Sequence, residues 1–306
     1  MIFPHKVTKM ATIGIIATAS RPLGKYFRDG IEKLTGLGFT IIDFTESKRN
    51  KITDKSRVNS LMQAAADPRV DLILAVRGGY GTLRILHKID YAQIAKSKKI
   101  IVGFSDLTAL SLALYHKRKM VTFCGPMLST SFFKGMPALT LKSFLDHVTG
   151  VLHEGSTINL SELGAKCYRA GKISGRLMGG NMAVMSRLIG TEYLPDLKDC
   201  ILYLEDVDEN RGRLENIFMH YRLAGVFDKI GGLMLGQFSN CFRGSKKVQL
   251  AKLVEFVDDM LGDYKFPIIY NLPFGHEDKN MTLPVGISAD LNTKTGKLKY
   301  LESPVR

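Results

Sequence analysis

The sequence has no tryptophan, only four cysteines in 306 residues, and 29 acidic side chains against 43 basic ones. Each shortage removes a class of function. Without tryptophan the chain lacks the broadest platform on which a nucleic base can stack. The cysteines (Cys124, Cys167, Cys200 and Cys241) are widely separated, with no C-x-x-C pair and no zinc spacing to the seven histidines. Isolated thiols in a reducing compartment are the expectation. No apolar run exceeds a strand's length, whereas a membrane helix needs about 20 residues. Ile13–Ala19 is too short, and too quickly followed by Arg21, for a signal peptide. It reads as the first strand of the fold, and the expected location is the cytoplasm, with no membrane partner.

The acid deficit leaves a formal charge of +14. The bases are scattered, with short clusters at Lys96–Lys99, Lys117–Lys119 and Lys246–Lys247, and no nucleic-acid motif or aromatic ladder accompanies them. Nucleic acid is therefore not an expected partner. A small acidic substrate drawn in by the field, or plain solubility, accounts for the sign. At 45% apolar and 24% charged, the composition is that of a soluble globular protein.

The first half alternates strand and helix patterns. Strands are expected at Thr12–Ala17, Phe39–Phe44, Leu72–Val76, Ile100–Val102 and Met120–Phe123. Helices are expected at Tyr26–Leu37, Lys55–Ala66, Leu83–Ile89, Leu107–His116 and Leu139–Val148. Continuous apolar strands separated by helices imply an α/β fold whose parallel sheet is covered on both faces, Rossmann-like or flavodoxin-like. A polar stretch with strand fragments, Gly150–Cys167, is the expected linker. A second α/β unit follows, with a Gly-rich stretch at Gly175–Asn181, whose Gly179-Gly180-Asn181 turn reads as a tight helix entry, and a helix to about Leu188. Its strands are expected at Ile201–Leu204, Gly232–Gly236 and Pro267–Tyr270. Its further helices are expected at Arg213–Ala224 and Val248–Leu261, ahead of a β-rich tail from Met281. The expected organisation is thus a domain over 1–150, a linker over 151–170 and a second domain over 171–306.

Three stretches set unusual polar residues at strand ends. In Ile101-Val-Gly-Phe-Ser-Asp106 an apolar run reaches a Gly and a Ser, and a helical stretch begins at once. Such a turn pushes a hydroxyl clear of the sheet, over the helix's first N–H groups. Leu202-Tyr-Leu-Glu-Asp-Val-Asp-Glu209 runs a strand into four acids. Leu272-Pro-Phe-Gly-His276 sets a histidine after a strand. A serine nucleophile needs a base, and the base needs a carboxylate to orient it. Ser105, His276 and Glu205 supply these types in the chain order Ser…Glu…His. Bland readings stand beside this one. Ser105 alone can be a helix N-cap, the acids a solvated turn or a Mg²⁺ site, and His276 a loop histidine. Arg77-Gly-Gly-Tyr-Gly81 can be a phosphate-cradling loop, although no Gly-Lys-Ser/Thr follows it.

Six ordered blocks carry a resemblance. They are Ala75-Val-Arg-Gly-Gly-Tyr-Gly81, Gly103-Phe-Ser-Asp-Leu-Thr-Ala109, Thr122-Phe-Cys-Gly-Pro-Met127, Gly175-Arg-Leu-Met-Gly-Gly-Asn181, Leu204-Glu-Asp-Val-Asp-Glu209 and Pro273-Phe-Gly-His276. In these blocks the chain resembles the LD-carboxypeptidases, the muramoyltetrapeptide carboxypeptidase group of serine peptidases, over nearly its whole length. The resemblance implies that Ser105 is the nucleophile, His276 the general base and Glu205 its orienting carboxylate. It implies an oxyanion hole of backbone N–H groups at Gly78 and Asp106, and no metal or other cofactor. It offers Asn181 to the substrate, and Glu209 would suit the free amine of a diaminopimelate side chain. The implied substrate is a murein tetrapeptide or its muropeptide, cut at the diaminopimelate–D-Ala bond in cell-wall recycling. A homodimer is implied as well. Two alternatives stand. One is a microcin C immunity relative cleaving peptidyl- or aminoacyl-nucleotide amides. The other is a non-catalytic binder of wall fragments.

Overall fold

The computed structural model describes residues 1–22, 24–45, 52–132 and 135–306. Five short strands come first: β1 (Thr12–Ile16), β2 (Thr40–Asp43), β3 (Leu72–Ala75), β4 (Ile100–Val102) and β5 (Thr122–Cys124). Between and after them lie α1 (Gly24–Gly36), α2 (Asp54–Ala66), α3 (Tyr91–Ser97), α4 (Thr108–Arg118), α5 (Leu128–Ser131) and α6 (Ala138–Val148). The strands β3, β4 and β5 are buried at every residue. That is why their sequences read as unbroken apolar runs rather than alternating ones. Helix α2 starts at a reciprocal cap, in which Thr53 and Ser56 each satisfy the other's backbone N–H. It stops ahead of Pro68, as the restricted residue before a proline requires. The helix expected at Leu83–Ile89 is a 3-10 helix over Thr82–Lys88, and α3 follows it behind an Asp90 cap.

The rest of the chain builds a second sheet and returns one strand, β12 (Leu283–Val285), to the first. The second sheet holds β6 (Thr157–Asn159), β7 (Lys166–Arg169), β8 (Lys172–Asn181), β9 (Ile201–Val207), β10 (Gly232–Ser239), β11 (Ile268–Tyr270), β13 (Ser288–Asn292) and β14 (Lys297–Tyr300). Its helices are α7 (Met182–Ser186), α8 (Arg211–Leu223), α9 (Val226–Lys229) and α10 (Lys246–Leu261). Gly179-Gly180-Asn181, expected as a turn, is instead the end of the ten-residue strand β8, and the Gly-rich stretch forms its last seven residues. The segment expected as linker contributes β6 and β7 to the second sheet.

The first sheet runs β12-β5-β4-β3-β1-β2, parallel except for β12, which returns from the C-terminal part to pair antiparallel with β5. The second runs β6-β14-β13-β8-β9-β10-β11-β7 and is parallel across β8 to β11. In each parallel block the carboxyl ends of neighbouring strands open on one crevice, where ligands of such sheets bind. The two crevices meet at α4. Thr108, its first residue, accepts the Asn181 N–H at 2.9 Å. A Cβ added to Gly180 would lie 2.4 Å from the same hydroxyl. Only a glycine at φ +139° lets β8 end this close to α4. Among the described residues no helix is long and apolar enough to cross a membrane.

Candidate active site

Ser105 stands between β4 and α4, on a 3-10 turn (Ser105–Leu107) that feeds straight into the helix. Its φ is +61°, in the left-handed region that non-glycine residues rarely occupy. Strain of this kind costs on the order of 1–3 kcal/mol and persists only where the surroundings impose it. Here they do. Strand β4 is fixed by parallel neighbours on both sides, and α4 must begin at once. The result is a half-buried hydroxyl at the head of a helix.

His276 arrives from the loop after β11 and Glu205 from within β9, 71 residues apart in the chain. The Nδ1 atom of His276 lies 2.7 Å from Glu205 Oε2, and its Nε2 atom lies 3.1 Å from Ser105 Oγ. A carboxylate only accepts hydrogen bonds, so Nδ1 carries the proton and Nε2 is left to accept from the serine hydroxyl. Phe104 meets the imidazole edge-on at 4.8 Å and closes one side. Burial pushes the His276 imidazole down. The Glu205 charge and hydrogen bond, with Asp206 and Asp208 beyond, outweigh it, and the ring titrates above its ordinary 6.5.

Glu205 is fully buried. Its second oxygen accepts from Asn181 Nδ2 at 3.2 Å, and the same amide donates to Asp206 at 3.0 Å. The Asn181 carbonyl oxygen caps α7 through the Val184 N–H at 3.0 Å. Asn181 was expected to face substrate. Its side chain is buried and committed at both ends to these internal partners, because β8 pairs with β9 in a register that sets it opposite Glu205. Asp206 also accepts the Ala183 and Val207 N–H groups, both at 2.9 Å. Burial, reinforced by the Glu205 charge, raises its carboxyl to about 6.

Gly78 and Asp106 come together beside the serine. A Cβ on Gly78 would lie 2.7 Å from Ser105 Oγ and 3.6 Å from the Asp106 nitrogen. The Asp106 carboxylate turns away to accept the Thr82 N–H at 2.8 Å, tying the serine turn to the loop that follows β3. From the other side Arg57 of α2 donates to Ala19 O at 2.9 Å and to Tyr80 O at 3.4 Å. It thereby fastens the same loop to the end of β1. Glu209 does not join this group: it lies at the entry to α8, paired with Arg213 one turn on.

Sequence reasoning missed Asp206, Phe104 and Arg57. Asp206 and Phe104 lie inside motifs already singled out, and a closer signal was the pair of adjacent acids on one strand. Arg57 sits in an ordinary amphipathic helix and gives no signal.

Comparison with known proteins adds family to geometry. Residues 13–125 match the LD-carboxypeptidase N-terminal domain, and residues 174–291 match the LD-carboxypeptidase C-terminal domain. The carboxypeptidase homologue slr1534 of Synechocystis sp. is 32% identical over 277 residues, covering 89% of this chain and 88% of that protein. Muramoyltetrapeptide carboxypeptidase from Oxalobacter formigenes superposes with a TM-score of 0.81 at 30% identity, covering 94% of this chain and 97% of that one. The microcin C7 self-immunity protein MccF of Escherichia coli is 29% identical over 313 residues, covering 91% of this chain and 88% of that protein. The structure of MccF with glutamyl sulfamoyl guanosine shares the fold, at a TM-score of 0.92 and 24% identity over the whole of both chains.

Proposed function

This chain belongs to the LD-carboxypeptidase family, and on that premise we propose that it releases the terminal D-alanine of a murein tetrapeptide by serine acyl transfer. The observation that carries the reading is the hydrogen-bonded series from Ser105 through His276 to buried Glu205, at 3.1 and 2.7 Å, built on a serine in a left-handed conformation. In this reading Ser105 Oγ attacks the carbonyl carbon of the diaminopimelate–D-Ala bond while His276 Nε2 takes its proton. Glu205 stabilises the imidazolium that forms. The Gly78 and Asp106 N–H groups receive the developing oxyanion, each worth on the order of 10²–10³ in kcat in comparable sites. The tetrahedral adduct collapses, His276 returns the proton to the D-alanine amine, and an acyl-Ser105 ester remains. Water, deprotonated by His276, then attacks the ester, and His276 returns the proton to Ser105 Oγ as the tripeptide leaves. A cytoplasmic homodimer acting in cell-wall recycling belongs to the same reading and rests on the family resemblance.

The likeness to MccF supports a second reading, cleavage of an aminoacyl-nucleotide amide by the same three residues. The absence of tryptophan favours the peptide. The experiment is a pair of incubations followed by intact-mass analysis. Tetrapeptide turnover with a fluorophosphonate adduct on Ser105 that His276→Ala prevents is the expected result. Turnover of an aminoacyl sulfamoyl adenosine instead of the peptide would move the reading to the second substrate. An enzyme that the fluorophosphonate leaves unmodified would overturn the serine mechanism.

A further inference from the structure

Arg77 stands at the carboxyl end of β3 and has no part in the acyl transfer. It follows β3 and directly precedes Gly78, the residue that abuts Ser105. Its guanidinium reaches toward the end of β1: Nη2 lies 4.0 Å from the point a Cβ on Gly79 would occupy, and the Ser20 hydroxyl lies 2.2 Å from that same point. The Ser20 oxygen already accepts the Tyr80 N–H at 3.3 Å, so its own proton is free to be donated outward. Arg77 Nε is buried and has no hydrogen-bond partner, and among the described residues no carboxylate pairs with the side chain.

The surrounding cations are in a different state. Arg57, Arg84 and Lys88 all share Asp54, at 3.2, 2.8 and 3.1 Å. One acid is thus shared by three bases around the loop, and none of these pairs extends to Arg77. A partly desolvated guanidinium with an orphaned donor is costly unless a ligand completes it. Its planar fork matches a carboxylate better than any other common anion except phosphate.

On the carboxypeptidase reading, the substrate's terminal carboxylate lies three bonds beyond the carbon that Ser105 attacks, about 4 Å away at standard bond lengths. Whatever binds it must stand in the first ring of residues around the serine. We propose that Arg77, assisted by the Ser20 hydroxyl, is the subsite for the free carboxylate of the departing D-amino acid. The pair thereby confines the enzyme to chain ends. A peptide that continues past this residue presents a neutral amide there and leaves the guanidinium unpaired. This inference rests on the proposed function.

The test compares murein tetrapeptide with the same peptide ending in D-alaninamide, using wild type, Arg77→Lys and Arg77→Met. Thermal melting shows that the variants are folded. Wild type is expected to prefer the free acid by about 10–100-fold in kcat/KM, the range for hydrogen bonds to a charged group. Arg77→Met should abolish the preference by slowing the acid alone, chiefly through KM, and Arg77→Lys should fall between. Three results would overturn the subsite while leaving the carboxypeptidase intact. They are equal wild-type rates on acid and amide, an Arg77→Met that keeps the preference, and one that slows both substrates equally. A wild type that hydrolyses neither peptide overturns the function reading, and the subsite with it. The acid–amide comparison in wild type needs no variant, so a misfolded Arg77→Met does not blunt it.

Discussion

Placing a methyl group on Gly78 tests how closely two loops must approach at this site. The added carbon would lie 2.7 Å from both Cβ and Oγ of Ser105 and 3.6 Å from the Asp106 nitrogen. Carbon atoms pack at about 3.5–4.0 Å, so one loop must retreat by roughly 1 Å. Gly78 does not occupy the left-handed region, so the penalty is one of space rather than of backbone conformation. Neither side yields cheaply. Ser105 is pinned at φ +61° between β4 and α4, and the glycine loop is tied down by Arg57 and by the Asp106 carboxylate. Overpacking of this kind costs about 1–3 kcal/mol of stability. The larger effect falls on turnover, because the same retreat misplaces a backbone donor. The expected loss is on the order of 10²–10³ in kcat, with little change in KM. Steady-state kinetics on the tetrapeptide, with thermal melting alongside, reads both. Gly36→Ala is the control, since nothing lies within 4 Å of its added Cβ. A Gly78→Ala enzyme that melts lower yet keeps kcat within about twofold of wild type would refute the reasoning, because the approach would then serve packing and not the oxyanion.

Three further outcomes follow from the same geometry. Ser105→Gly should abolish activity yet raise unfolding free energy by up to about 1 kcal/mol over Ser105→Ala, since only glycine relieves the left-handed strain; equal stabilities in denaturant would remove the strain from the account. Because catalysis needs His276 neutral and Glu205 holds its titration above 6.5, kcat/KM should rise with pH through that higher value. Asp206→Asn removes one of the raising charges and should move this limb to lower pH, and a limb that stays in place would contradict the electrostatic assignment. Elsewhere, burial holds His147, bonded to Ser143 O and Tyr300 Oη, down at about 4 against 6.5. The unfolded chain therefore binds the proton more readily in that interval, and stability drains away as pH falls from 6.5 toward 4, by about 3 kcal/mol in all. The stability advantage of wild type over His147→Phe should shrink accordingly between pH 7 and pH 4.5. A constant difference in urea unfolding would show that His147 is not the group responsible.

What the sequence made legible was local. The apolar runs at β1, β3 and β4, and the Gly-Phe-Ser-Asp turn after β4, are patterns within a few residues of one another, and they lie where the periodicity put them. The Gly-rich stretch before Asn181 misled for a physical reason. Glycine there marks two close approaches, to the Tyr203 backbone and to Thr108, inside a strand rather than in a turn. The return of β12 to the first sheet and the pairing of β7 with β11 join segments about 160 and 100 residues apart, and no local period encodes such pairings. The site divides along the same line. Ser105, Glu205 and His276 could be nominated because each lies in or closely after a readable apolar strand. The commitment of Asn181 to Glu205 depends on β8–β9 register, and the clamp made by Arg57 depends on which face of α2 meets the sheet.

The central claim is that Ser105 carries a serine-peptidase reaction on a murein tetrapeptide. Mass spectrometry of D-alanine release, with EDTA present, comparing wild type with Ser105→Ala, tests it most directly. The account predicts tripeptide and free D-alanine from wild type and neither from the variant. Equal release by Ser105→Ala would contradict it and reduce Ser105 to a strained residue at the head of a helix.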